Sequence, residues 1–187
     1  MTRSNGLWIA AVVLTGAAWA QGQADDAVRA REACGQLARV LMSELSAALK
    51  EGGPPQAVSV CRDRAPAIAT EVSAQSGMEV RRTALRVRNP ANAPDAWESE
   101  VLKEFEARIS KAEDPSLLER AEIVERDGRK VVRYMKAIPT GEPCLKCHGP
   151  DLEPALQAKI KELYPADQAT GFKKGDLRGA FTVRKEL

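Results

Sequence analysis

Glu122-Ile123-Val124-Glu125-Arg126-Asp127-Gly128-Arg129-Lys130-Val131-Val132-Arg133-Tyr134-Met135 reads as two short strands around an Asp-Gly turn. Asp-Gly between β-prone runs is the strongest short hairpin signal, because the favoured turn needs positive φ at both central residues. A hairpin at this point fixes an antiparallel sheet in the second half of the chain. The order of elements around it then sets the fold class.

Upstream, Asp25 to about Glu51 has a helical period, with Val28, Leu37, Val40, Leu41, Leu45 and Leu49 at three- and four-residue steps. Gly52-Gly53-Pro54-Pro55 stops it. A second helix is expected from about Gln56 to Ala74, with Ala57, Cys61, Ala65, Ile68 and Val72 on one stripe and a kink at Pro66. Met78 to Arg88 reads as a strand with Arg82, Ala84, Arg86 and Arg88 on one face. Asp95 with Glu98 forms a capping-box start for a helix to about Ala112, whose buried face is Trp97, Val101, Phe105 and Ile109. After the hairpin come a loop opened by Pro139 and Pro143, a short helix from about Pro154 to Leu163, and a strand from about Leu177 to Arg184. Helices first, then strands with helices between them, describe an α+β fold with a mostly antiparallel sheet.

The loop after the hairpin carries Cys144-Leu145-Lys146-Cys147-His148, which contains the one histidine of the chain. C-x-x-C-H is the attachment sequence for c-type haem. Two thiols three positions apart reach the two vinyl groups on one porphyrin edge, and the next residue places an imidazole under the iron. The pattern implies one covalently bound haem c per chain, held by Cys144 and Cys147, with His148 as an axial metal ligand. The carbonyl of Pro150, just past the motif, is a candidate acceptor for the second ring N–H. A zinc site would need a fourth ligand, Cys34 or Cys61, and lacks the usual second ligand cluster. A dithiol redox pair would need a βαβ setting that is not visible here.

A second axial ligand must be something other than histidine. Met42, Met78 and Met135 are candidates for the Met/His pair of electron-carrying cytochromes, Cys61 or Cys34 for a thiolate, and an open site, a water or a lysine are further alternatives. Core packing accounts equally for the methionines, and a disulfide between Cys34 and Cys61 equally for the thiols. The residues alone leave these alternatives open. Arg82, Arg86 and Arg88 share a strand face and suit the two propionates of a haem, although for any one of them a solvated strand face is the more ordinary reading.

Arg3, the uncharged run Leu7 to Ala18 and the small-x-small site Ala18-Trp19-Ala20 read as a cleaved export signal over residues 1–20, leaving a single domain over 21–187. Export to the periplasm agrees with covalent haem attachment. No other stretch of about 18 apolar residues exists, so the mature chain is not expected to be embedded in a membrane. A formal net charge of +2 over 187 residues offers no case for a nucleic-acid or anionic-membrane partner.

Four segments together resemble a family of secreted single-haem domains with a PAS-like fold and no assigned function, the Tll-type haem-c domains. They are Ala57-Val58-Ser59-Val60-Cys61; Arg82 to Pro90 with Asn92, Pro94, Asp95 and Trp97-Glu98; Cys144 to Gly149; and Tyr164-Pro165-Ala166-Asp167-Gln168-Ala169-Thr170-Gly171-Phe172 with Gly175-Asp176 and Gly179-Ala180. The resemblance implies a PAS-like antiparallel sheet flanked by helices, with long N-terminal helices. It also implies that Cys61 supplies the second axial ligand, as a thiolate. Cys34 departs from the pattern.

The function expected from these features is redox or small-ligand sensing by a periplasmic single-haem protein, with an electron-transfer cytochrome as the alternative. The first requires a separate signalling partner and admits a small gaseous ligand; the second requires a redox partner protein. An enzyme would need a distal acid–base group, and with no second histidine none can be nominated, so the chain is not expected to be one.

Overall fold

The Asp-Gly turn forms, with φ of 52° at Asp127 and 73° at Gly128. In the computed structural model, which describes residues 12–187, it joins β2 (Glu119–Arg126) to β3 (Arg129–Pro139) in register from Arg126↔Arg129 to Glu119↔Lys136. β4 (Leu177–Glu186) pairs antiparallel with the other edge of β3, and β1 (Glu79–Thr83) pairs antiparallel with β4. The sheet order is β1-β4-β3-β2. The centre strand β3 is buried at every position from Val131 to Met135, as a strand covered on both faces must be.

The covers are helical. One face packs against α1 (Val12–Asp63) and α2 (Ala65–Ser76), where Leu37, Ile68 and Val72 meet Val80, Tyr134 and Val183. The other face packs against α3 (Ala96–Ile109), where Val101, Leu102 and Phe105 meet Met135, Ala137 and Ala180. The fold is thus α+β and PAS-like, as expected. Of the export signal expected at residues 1–20, residues 1–11 lie outside the described residues. No helix among the described residues is long and apolar enough to cross a membrane.

Several boundaries differ from the sequence reading, each for a local reason. The stop expected at Gly52–Pro55 is a kink: Gly53 takes φ 67° and the helix resumes through Cys61. The kink expected at Pro66 is instead a break at Arg64, with Pro66 in the first turn of α2, where a missing N–H costs nothing. On α1 the contact face is made of small residues, Ala30, Ala33 and Cys34 beside Leu37, while Val28 is exposed. This lets the helix lie close against the sheet.

The capping box of α3 forms in full. Asp95 accepts from the Glu98 backbone at 2.8 Å and Glu98 accepts from the Asp95 backbone at 2.9 Å. The Glu98 carboxylate is buried and also accepts from Arg81, Arg133 and Thr182, which ties α3 to three strands.

β1 ends at Thr83 rather than running on to Arg88. A Cβ on Gly179 of β4 would stand 2.4 Å from the Thr83 carbonyl oxygen. Glycine permits that close approach, and beyond it the chain leaves the sheet. Residues 86–88 bond instead to the loop at 167–170.

Candidate functional site

The thiol motif is helical, not a loop. α4 (Glu142–His148) starts with Pro143 in its first turn, a position where proline favours a helix start. One helical turn brings Cys144, Cys147 and His148 to neighbouring positions at i, i+3 and i+4. α4 ends at Gly149, where a Cβ would meet the Leu145 carbonyl oxygen at 2.6 Å. Past that point the chain zips onto a later loop: Gly171 N–H donates to Gly149 O and Phe172 N–H to His148 O, each at 2.9 Å.

This loop holds the imidazole. His148 Nδ1 lies 2.7 Å from the carbonyl oxygen of Ala169, so Nδ1–H donates and Nε2 keeps its lone pair. The acceptor is Ala169, not Pro150 as the sequence suggested, because the 164–172 segment folds back across the motif. The Phe172 ring meets the imidazole edge-on, 6.3 Å away at 89°. Burial, with Arg178 and Arg88 nearby, holds His148 down at about 2 against the opposing Ala169 bond. The ring is neutral and can accept a metal.

The three candidate arginines part company. Arg88 is buried in an ion pair with Asp167 at 3.1 Å and donates to Cys147 O at 2.8 Å and Ala169 O at 3.1 Å. Arg86 donates to Gln168 O and Thr170 O and lies 4.2 Å over the Phe172 ring. Both are therefore engaged by the loop rather than free for a propionate. Arg82 is half-buried, with no hydrogen-bond acceptor among the described residues. Burial lowers it, while Cys61 and Tyr164 favour its charge.

Two groups escaped the sequence reading. Asp167 stood in a segment quoted only for its resemblance, and its role needs the folded-back loop. Arg178 carries no local signal beyond its place before Gly179. Arg178 lies 5.3 Å over the Phe172 ring, and burial with the nearby Arg88 and Arg82 brings it down to about 10.

Cys61 comes to the site on the last turns of α1. Val58, one turn before it, packs with Leu152, Leu156, Ile160 and Tyr164, and Cys147 borders the same cluster. Burial raises Cys147 and Tyr164, and the Cys61 thiol adds to both rises. Cys34, by contrast, is 1% exposed within the helix–sheet core and pushed up to about 12 by burial. All four cysteines are free, so Cys34 and Cys61 form no disulfide. Met78 and Met135 belong to the two sheet cores and Met42 is exposed on α1, which removes them from the site. Among the described residues no three His, Cys, Asp or Glu groups converge as a metal ion would need, so the thiols and the imidazole do not frame a zinc centre.

The donor set fits a porphyrin attached through α4: two thiols on one helix, a neutral imidazole whose Nε2 keeps its lone pair, a thiol on a facing helix, an apolar wall from α1 and α5, and two cations, Arg82 and Arg178, that make no ion pair among the described residues. A cleft of about 300 Å³ opens beside Phe172 and Arg178, floored by Leu85, Leu102 and Leu177. That is the lower end of small-ligand pocket sizes.

The Tll0287-like family matches residues 21–185. No curated protein matches the sequence. Among solved structures the chain is similar to the crystal structure of the cyanobacterial heme-protein Tll0287, with a TM-score of 0.65 and 29% identity over 87% of this chain and 96% of that one.

Proposed function

Because the chain belongs to the Tll0287-like family, we propose that it is an exported haem c protein that senses a redox state or a small ligand. Cys144 and Cys147 would hold the porphyrin covalently, and His148 and the Cys61 thiolate would hold its iron. A related structure described as a heme-protein supports the cofactor. The observation that carries the reading is the presentation of His148: Nδ1 is committed to Ala169 at 2.7 Å, and Nε2 is left as a lone-pair donor on the same helix as two free thiols.

Bound haem would supply one-electron exchange and an iron able to exchange a ligand. The protein's part is unequal on the two sides. His148 is held by the Ala169 carbonyl and by Arg88 bonded to the neighbouring Cys147 carbonyl. Cys61 lies two residues before the end of α1, beside the break at Arg64, with no comparable brace among the described residues. An asymmetric pair of this kind suits a switch in which Cys61 is the ligand that leaves, and a sensor needs two such states. The output passes to a separate signalling partner.

The firm seating of His148 also favours a second reading, an electron-transfer cytochrome that serves a redox partner without rearrangement. Absorption spectra of haem-loaded wild type and Cys61→Ala, oxidised and reduced, separate the two. Loss of a low-spin thiolate-type oxidised spectrum in the variant, with carbon monoxide binding to reduced wild type, supports sensing through Cys61. Matching spectra of wild type and variant would remove Cys61 from the iron and leave the electron carrier.

A further inference from the structure

Positive charge around His148 exceeds the acids present to balance it. Arg82, Arg88 and Arg178 all lie in the neighbourhood of the imidazole. Asp167 is the carboxylate that pairs with this group, and Arg88 takes both of its oxygens, at 3.1 and 3.2 Å. Arg178 Nε is buried with no hydrogen-bond partner among the described residues, and the bond its guanidinium does make is a long one, 3.4 Å to the Arg86 carbonyl. Arg82 has no acceptor among the described residues. A buried guanidinium N–H without an acceptor is costly, so Arg178, with the half-buried Arg82 near enough to act on its charge, marks a place built for an anion.

We propose that Arg82 and Arg178 form a clamp for the two carboxylates of the haem, which assigns propionate binding to Arg178 and withdraws it from Arg86 and Arg88. The inference rests on the haem reading above. Its chemistry is that of guanidinium–carboxylate pairs, which are short, charge-assisted and bidentate where geometry allows. The backbone supports the placement. Gly179 brings β4 against the end of β1, so Arg178 and Arg82 leave neighbouring strands at the same corner of the sheet. Arg178 is further fixed by the Phe172 ring, which stands perpendicular to the imidazole.

The test compares haem-loaded wild type with Arg178→Gln, Arg178→Lys and Arg82→Gln, per mole of attached haem. The readouts are the propionate-bending band in resonance Raman spectra and the midpoint potential from pH 5 to 8. A clamp predicts a shifted propionate band in every variant. It also predicts a lower potential in both glutamine variants, since removing a positive charge near the iron favours the ferric state, and partial recovery of the potential in Arg178→Lys. A pH slope absent from wild type should appear as the propionates lose their partners. An unchanged band and potential in Arg82→Gln and Arg178→Lys would overturn the clamp while leaving the haem in place. A wild-type potential that moves with inorganic phosphate at constant ionic strength would also overturn it, by showing an exchangeable anion there. Wild type isolated without covalent haem would sink the haem reading itself.

Discussion

The ring nitrogen Nδ1 of His148 rests 2.7 Å from the carbonyl oxygen of Ala169, 21 residues later in the chain. A ligating histidine is commonly oriented through its second nitrogen, and partners of this kind raise ligand basicity and fix the tautomer. Here the partner is a backbone carbonyl, which cannot titrate. Its position depends in turn on Asp167, whose Oδ1 accepts from the Ala169 N–H at 2.9 Å while pairing with Arg88. One buried ion pair thus supports both the acceptor and, through the Cys147 carbonyl, the helix that carries the imidazole.

Arg88→Ala is expected to destabilise the folded protein by about 3–5 kcal/mol, because it leaves the Asp167 carboxylate buried without its cation. Asp167→Asn should cost less, since an amide can still accept from the Ala169 N–H. Urea unfolding of all three proteins measures the difference. A loss under about 1 kcal/mol for Arg88→Ala would mean that the loop stands without the pair.

Gly149→Ala places a methyl group 2.6 Å from the Leu145 carbonyl oxygen, which is backbone and cannot turn aside. Relief must come from shifting the last turn of α4 or the strap bonds at Gly171 and Phe172. Overpacking of this kind costs about 1–3 kcal/mol. The expected signs are a lower unfolding midpoint and a smaller fraction of chains with covalent haem. Full haem content with an unchanged midpoint would refute the strain.

The parts of the fold that a periodic pattern or a local bond creates were legible from sequence. Asp127-Gly128 marks its own turn, and Asp95 and Glu98 make their two bonds within a single helical turn. The stripe through Ala57, Ala65, Ile68 and Val72 places Cys61 on an inward face, even though Arg64 interrupts the helix. Pro143 misled because proline both breaks a helix and begins one, and only its position relative to Gly141 decides which. The division of labour among Arg82, Arg86 and Arg88 was out of reach, since it depends on the 167–172 loop folding back over the motif. So was the separation of Cys34 from Cys61. Both lie on apolar faces, and what differs is the partner: the sheet core around Tyr134 in one case, Val58 and α5 in the other.

Glu98 joins α3 to β1, β3 and β4 on the sheet face opposite Cys34, so its loss should affect stability and spare the site. Glu98→Ala removes the acceptor shared by Arg81, Arg133 and Thr182 and leaves two guanidiniums without it, for an expected cost of about 3–5 kcal/mol. Per attached haem, the oxidised spectrum should match wild type. A changed spectrum in a protein that still folds would show that the α3 side reaches the iron ligands.

Acid should unfold the protein partly through Glu119. Its bond to Arg31 on α1, helped by Tyr134, holds its carboxyl at about 2 against an ordinary 4.5. The folded state therefore binds its proton less readily than the unfolded chain, so the stabilisation is complete above pH 4.5 and drains away as pH falls toward 2. The half-exposed position and salt screening keep the size modest. Glu119→Gln should lower the urea midpoint at pH 7 and flatten its decline between pH 5 and 3. Parallel pH profiles for the two proteins would remove Glu119 from the acid response.

The thiols outside the motif should differ in reactivity. Cys34 is 1% exposed and pushed up to about 12 by burial, so at pH 8 it is neither accessible nor ionised. Cys61 is half-buried at the end of a helix. In haem-loaded protein an iron-bound Cys61 is shielded too, and it should become open to iodoacetamide only when the ligand leaves. Alkylation followed by mass mapping is then expected to label neither thiol in the oxidised state, Cys61 alone on reduction, and Cys34 only in denaturant. Labelling of Cys34 before Cys61 would reverse the assignment of core and site, and equal labelling of Cys61 in both oxidation states would end the case for a thiolate that switches.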